Sequence, residues 1–342
     1  MKDTTRGPAR KRVTRARPGA TRKARTGAGG KVPARMERTG TAKGSLRGRV
    51  VAAPAVHTDA VRVVSSALDE RLGVVILRLR EARVRATEPA IHDLRVALRR
   101  LIAVLDLASE VVPGDGIPAL RRKLRKILKG FNAVRDVHIS LLAMGAMQRS
   151  VPAVRAYLGG LRRREATLLR ECGGALRAFD VRSIERSVAT VQQSLFAAAA
   201  DPAIAAAMTA VVRGSMARTY VRALRALRNV NAADAATVHT LRVSFKKVRY
   251  AVEVLAPLTG GFPKPLKKWM GEYQTLMGEV QDCEVMIAGV RRFAATPVAG
   301  RRVPMIAVQE ALALRKSNAL AQFLRRAGEL ETKVSALLVA ER

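Results

Sequence analysis

The chain is poor in the residues that carry most enzyme chemistry and most base recognition. Of its 342 residues only two are cysteine, Cys172 and Cys283, and only four are histidine. Two cysteines without metal or redox spacing argue against a disulfide scaffold and suit a reducing cytosol. One Trp, four Tyr and seven Phe are too few for the stacking platforms of sequence-specific RNA and single-strand binding. No apolar run approaches the roughly 20 residues of a transmembrane segment. The N-terminal region has charge but no apolar core, so no signal peptide is expected. Neither a Gly-rich phosphate loop of the G-x-x-x-x-G-K-[ST] type nor a recognisable Ser or Cys nucleophile motif is present. Acids are scarce as well: 27 Asp and Glu face 63 Lys and Arg, a net charge of +36. The partner implied is a polyanion, whether nucleic acid, an anionic membrane or a phosphate polymer.

That charge is distributed unevenly. Residues 1–50 hold 16 Lys and Arg against Asp3 and Glu37, a net of +14, leaving +22 for the rest. Residues 1–55 have almost no large apolar side chains and cannot bury enough surface to order themselves. They read as a disordered Arg/Lys-rich arm that either holds polyanions nonspecifically or serves as a solubilising leader. Beyond the arm no strand pattern stands out, and Gly and Pro fall mostly between long helical patterns.

One helical stretch occurs twice. Residues 92–105 (HDLRVALRRLIAVL) return 147 positions later as residues 239–252 (HTLRVSFKKVRYAV). Four of the first five positions are identical, and Arg99-Arg100 becomes Lys246-Lys247, which keeps the charge. At 3.6 residues per turn, Leu94, Leu98, Leu101 and Leu105 share an apolar stripe, with His92, Arg95 and Arg99 away from it. In the second copy Leu241, Phe245, Val248 and Val252 take the apolar side, and His239, Arg242, Lys246 and Arg249 the other. A basic helix face is ordinarily just solvated. The same His-plus-cation pattern written twice points instead to convergence on a shared ligand.

The repeat extends outward from these stretches. At the same spacing Arg71 and Arg78 match Arg218 and Arg225, each pair two turns apart on one face. At a spacing of 146, Arg121-Arg122 matches Lys267-Lys268, and Val134-Arg135-Asp136 matches Val280-Gln281-Asp282. Helices are expected over about 59–86, from Thr87 as N-cap with Pro89 in the first turn to near Val112, and over 118–131, 136–148, 152–176 and 183–196. After a break at Asp201-Pro202 they resume over 203–229, through the His239 stretch to before Pro257, then over 265–276, 282–293 and 304–340. Asp136 and Asp282 then stand at helix starts, where N-terminal capping is the expected role, ahead of catalysis or metal binding. Asp106 and Glu253 lie on the cationic sides, within reach of a cation one turn earlier or across the bundle.

With both His helices and both Asp-ending segments in view, the chain resembles the CHAD family, the conserved histidine α-helical domain. The matching residues are IHDLRVALRRLIAVL and VHTLRVSFKKVRYAVEVL, followed by LRRKLRKILKGFNAVRDVH and LKKWMGEYQTLMGEVQDCEV. The likeness covers roughly residues 58–340 and leaves out the arm. It implies an all-α fold of two four-helix-bundle halves, about 58–197 and 202–340, related by a pseudo-twofold axis. It also implies a basic surface or central cleft that binds inorganic polyphosphate, in the cytoplasm and at polyphosphate granules. There are departures from the family pattern. Asn132 stands where the second copy has Gly278, and His138 and Glu284 stand where an Asp is common, which bears on the local geometry of the turn. The alternating Glu-x-Glu-x-Lys run of the triphosphate-cleaving domain that often accompanies this family is missing, so that activity is not carried over.

A flexible polyphosphate is held by many cations along a path, Arg through planar bidentate donors and Lys as a mobile point charge. The residues expected to contact it are Arg71, Arg78, His92, Arg95, Arg99, Arg122, Arg125 and Lys129, with Arg218, Arg225, His239, Arg242, Lys246, Arg249, Lys264 and Lys268. The histidines add titratable donors, so binding is expected to tighten at mildly acidic pH. His92-Asp93 looks like the dyad of metal phosphohydrolases, but the second copy has His239-Thr240, and the surrounding Arg repel a metal ion. No cofactor, no metal and no catalysis are expected. The alternative function is nonspecific DNA binding through the basic arm and the helical surface. Arg162, Arg163 and Arg164 lie beside leucines that could touch an anionic surface, although core packing with snorkelling Arg is the expected arrangement.

Overall fold

The computed structural model describes residues 60–112, 114–149, 151, 154–258, 261–296 and 305–339. The basic arm of residues 1–55 and the expected helix ends at Asp59, Pro152, Pro304 and Ala340 lie outside them. Among the described residues the regular structure is helical, apart from one isolated bridge between Asn231 and Asp234, as the helical patterning predicts. The first copy of the repeat comprises α1 (Ala60–Val84), α2 (Glu88–Val111), α3 (Gly116–Gly130), α4 (Asn132–Met147), α5 (Val154–Arg177) and α6 (Val181–Ala198). The second comprises α7 (Pro202–Arg228), α8 (Ala235–Leu255), α9 (Lys264–Ala294), α10 (Ile306–Arg326) and α11 (Glu329–Val339).

Short polar caps fix where the central helices begin. Thr87 Oγ1 accepts the Ala90 N–H ahead of α2, with Pro89 in its first turn. Asp201 accepts the Ala203 N–H at 2.7 Å ahead of Pro202, and Asp234 accepts the Ala236 N–H at 2.9 Å at the start of α8. Each cap satisfies backbone donors that the first helical turn leaves without a partner. The apolar stripes then choose the buried face. Leu94, Leu98, Leu101 and Leu105 of α2 and Leu241, Phe245, Val248 and Val252 of α8 are all buried. Burial of such side chains on folding contributes roughly 1.5–3 kcal/mol each, which secures the opposite, cationic faces in place.

Equivalent helices pack alike. α1 lies on α2 as α7 lies on α8; α2 meets α3 as α8 meets α9; α4 meets α5 as α9 meets α10. The two copies also meet through corresponding elements, α2 against α8 and α4 against α9.

The structure corrects three sequence expectations. α9 runs unbroken through residue 282, so Asp282 lies deep inside a helix and caps nothing. Asp136 is the fifth residue of α4, past its N-terminus, and caps nothing either. Gly130-Phe131 breaks the first copy at the α3–α4 junction, where Phe131 is buried. The matching Leu276-Met277 are strong helix formers. The single Gly278 costs about 1 kcal/mol against Ala, too little to open a helix packed on several sides. Finally, the expected terminal helix is two, α10 and α11, divided at Ala327-Gly328.

Candidate anion-binding site

A cavity of about 360 Å³ lies among α2, α4, α8 and α9. From α2 come His92, Val96, Arg99 and Arg100; from α4, Arg135. α8 contributes Arg242, Lys246, Arg249 and Tyr250, three of them at helical spacings of four and three that put them on one face. α9 supplies Gln274, Thr275, Gly278, Glu279 and Asp282. The cationic faces of the two repeated helices therefore converge on one space.

Some of these cations are already paired. Arg135 donates to Asp282 at 2.9 Å. Glu253, only 8% exposed at its side chain, accepts from Arg249 Nε at 3.1 Å and lies 3.5 Å from Arg100 Nε. Arg99, Arg242 and Lys246 form no ion pair among the described residues. Arg242 lies along α9 where Gly278 has no side chain: a Cβ there would stand 3.7 Å from Arg242 Nε, which is buried without a hydrogen-bond partner. Its counterpart Arg95 takes a different course. Arg95 is 2% exposed and donates to Asn132 Oδ1 at 2.9 Å, behind the cavity lining. The Asn-for-Gly departure between the copies thus separates a tethered arginine from one that faces the cavity.

The electrostatics reflect crowding of like charge. Burial, then the guanidinium groups of Arg242, Arg99, Arg135 and Arg95, push the Lys246 amine down to about 7. Burial, then Arg99 and Arg135, lower Arg95 to about 10. Arg99 and Arg242 are lowered mainly by burial. Burial and then Arg242 lower the His239 imidazole, against a contact with Gln281 that raises it. A bound polyanion would reverse the repulsive part of these shifts.

The cavity gathers His92, Arg99, Arg242, Lys246 and Arg249 of the sequence-predicted residues, with Arg95 behind them and His239 beside Arg242 and Lys246. The others do not line it. Arg71 pairs with Glu70, Arg78 with Glu81 and Asp93, and Arg218 with Glu110. Arg125 lies 3.5 Å from Asp106 and Lys268 lies 3.9 Å from Glu272. Arg122, Lys129, Arg225 and Lys264 are exposed on the outer surface. Asp93 of the apparent His-Asp dyad is thus engaged with α1. No group of three or more His, Cys, Asp or Glu that could hold a metal ion occurs among the described residues. No helix among them is long and apolar enough to cross a membrane. Arg162, Arg163 and Arg164 are exposed beside the buried Leu161.

Sequence reasoning missed Arg100, Arg135 and Tyr250 as lining residues. The Arg99-Arg100 to Lys246-Lys247 match was a signal for Arg100. Arg135 has Gln281 as its counterpart, so the repeat gave no sign of it.

Fold and site together define an all-α protein that draws cations from two related helices into one cavity. A family model described as the CHAD domain matches residues 67–291, and the chain belongs to the CHAD domain family, a family linked in general to polyphosphate. Among solved structures it is similar to the CHAD domain from the plant Ricinus communis, with TM-score 0.56 and 19% identity over 82% of this chain and 91% of that one. PptA from Streptomyces chartreusis aligns with TM-score 0.46 and 16% identity over 83% and 98% of the two chains. No curated protein matches.

Proposed function

We propose that the chain binds inorganic polyphosphate in the cavity between α2 and α8, without cleaving it, and does so at polyphosphate granules in the cytoplasm. The observation that carries this reading is the convergence of Arg99, Arg242 and Lys246 on one space with no acid paired to them among the described residues. Holding such groups together costs free energy, and a flexible polyanion offsets that cost at several points at once. The meeting of α2 with α8 and of α4 with α9 supports two halves, about 58–197 and 202–340, packed about a pseudo-twofold axis that passes by the cavity.

The test is affinity for long-chain polyphosphate at fixed salt. Replacing Arg99 and Arg242 with Ala is expected to weaken binding tenfold or more, since hydrogen bonds to charged groups contribute about 1.5–3 kcal/mol each. Helicity should be retained. Unchanged affinity would place the ligand elsewhere. Incubation with polyphosphate and divalent metal ions is expected to release no orthophosphate; steady release would overturn the non-catalytic reading.

A second reading is nonspecific DNA binding, favoured by the exposed row of Arg122, Arg125, Lys126 and Lys129 on α3, outside the cavity. Competition between polyphosphate and DNA, with and without residues 1–55, separates the two. Selectivity for polyphosphate that survives removal of the arm supports the first, and its disappearance supports the second.

A further inference from the structure

One carboxylate from outside the lining holds two arginines of the cationic cavity. Glu253 is nearly buried, and both of its partners, Arg100 and Arg249, line the cavity. Glu253 itself lines a different cleft, of about 340 Å³, together with Arg62 and Arg71 of α1. It occupies arginines of the first cavity, while the second cleft, where Glu70 pairs with Arg71, balances two arginines with two glutamates. Its hold on Arg100 is loose: the 3.5 Å approach leaves the buried Arg100 Nε without a hydrogen bond. The residue at the same repeat position, Asp106, behaves differently. It pairs with Arg121 and, at 3.5 Å, with Arg125, both on α3 and neither in the cavity lining. Of these two carboxylates, Glu253 is the one that engages cations lining the cavity.

Resting on the polyphosphate reading, we propose that Glu253 is an internal competitor of the bound chain. Phosphate oxygens take Arg100 and Arg249 from the carboxylate. For one phosphate group the exchange is close to balanced, one anion replacing another. It becomes favourable when neighbouring phosphates are held at the same time by Arg99, Arg242 and Lys246, because the later contacts form intramolecularly. Glu253 thereby favours ligands that span the cavity over isolated phosphate.

The experiment measures the dissociation constant of the full chain for long-chain polyphosphate at one salt concentration. Glu253→Gln is expected to bind roughly three- to tenfold more tightly, as a competing charge at a partly desolvated site is removed. Glu110→Gln removes the same charge from the Arg218 pair outside the cavity and is expected to change affinity less than about twofold. If Glu253→Gln does not fold, Glu253→Asp, which draws the carboxylate back by one methylene, is measured instead and is expected to bind more tightly than the parent. A parent that binds, with Glu253 variants that are folded but no tighter, or with Glu110→Gln equally tightened, overturns the role given to Glu253 and leaves the polyphosphate reading intact. A parent that does not bind polyphosphate overturns that reading itself.

Discussion

Arg135 of α4 donates to Asp282 of α9 at 2.9 Å, joining residues 147 apart in the chain. Asp136, the repeat counterpart of Asp282, lies 3.8 Å from Arg135 at its nearest. The two matching aspartates thus differ in role, one bridging the copies and the other in looser contact. Asp282→Asn would leave Arg135 beside Arg95, Arg99 and Arg242 without its closest acid. A loss of about 1–2 kcal/mol is expected, more than for an exposed pair because the site is partly buried. Thermal unfolding should show a lower midpoint, restored in part by added polyphosphate. An unchanged midpoint would mean that the pair contributes nothing net.

Lys246 is expected to give polyanion binding and folding opposite pH dependences. Its folded value, near 7, lies below the ordinary value of 10.5 for a lysine amine. Between these two values the unfolded chain binds more protons than the folded one, so stability rises with pH across about 7 to 10.5 as the buried charge is lost. Binding of a polyanion favours the charged amine, so affinity should rise as pH falls from about 9 to 6. Both trends should flatten in Lys246→Met. The His239 imidazole is lowered from its ordinary value, chiefly by burial, so His239→Gln should keep the affinity slope above pH 7. A slope that survives in Lys246→Met would assign the proton elsewhere.

Gly278→Asn tests why Arg242 faces the cavity. In the first copy an asparagine at this position accepts from Arg95 and holds it behind the lining. The same side chain at residue 278 is expected to tether Arg242 and to weaken polyphosphate binding roughly threefold, the scale of one modest hydrogen bond. Unchanged affinity would show that Arg242 reaches its ligand regardless of this neighbour.

Tyr273 tests the link between α9 and the chain end. Its ring is fully buried among Phe245, Trp269 and Phe323, and its hydroxyl donates to the Ala327 carbonyl at 2.8 Å, at the turn between α10 and α11. Tyr273→Phe keeps the packing and removes the donor, at an expected cost of about 1–2 kcal/mol in chemical denaturation. An equal or higher stability would show that the carbonyl finds another partner.

Much of this architecture was legible in the sequence. The Leu94–Leu98–Leu101–Leu105 stripe and its counterpart in α8 gave the buried faces, and Thr87-Glu88-Pro89 gave the start of α2. The histidine and cation stripes found His92, Arg99, Arg242, Lys246 and Arg249 of the lining for the same reason, because a helix face is a local property. What stayed illegible depends on which helix lies opposite. Nothing local distinguishes Arg218, held by Glu110, from Arg99, which has no paired acid among the described residues. Asp282 read as a cap because the helical patterning stops near residue 276 and resumes at 282. In the folded chain its carboxylate is satisfied instead by an arginine from the other copy.

The Arg135–Asp282 pair has a further consequence, for the order in which the molecule assembles. Arg99, Arg100 and Arg135 are made well before Glu253 and Asp282, the acids that hold two of them. A nascent chain ending before α8 would carry the first copy's cations without these partners. Closing contacts over so long a separation is a slow step in folding, because a large loop must be ordered before any pair forms. The cavity is therefore expected to mature late. Until then, on the proposed polyphosphate function, the partly made chain is expected to bind polyanions less selectively than the finished one.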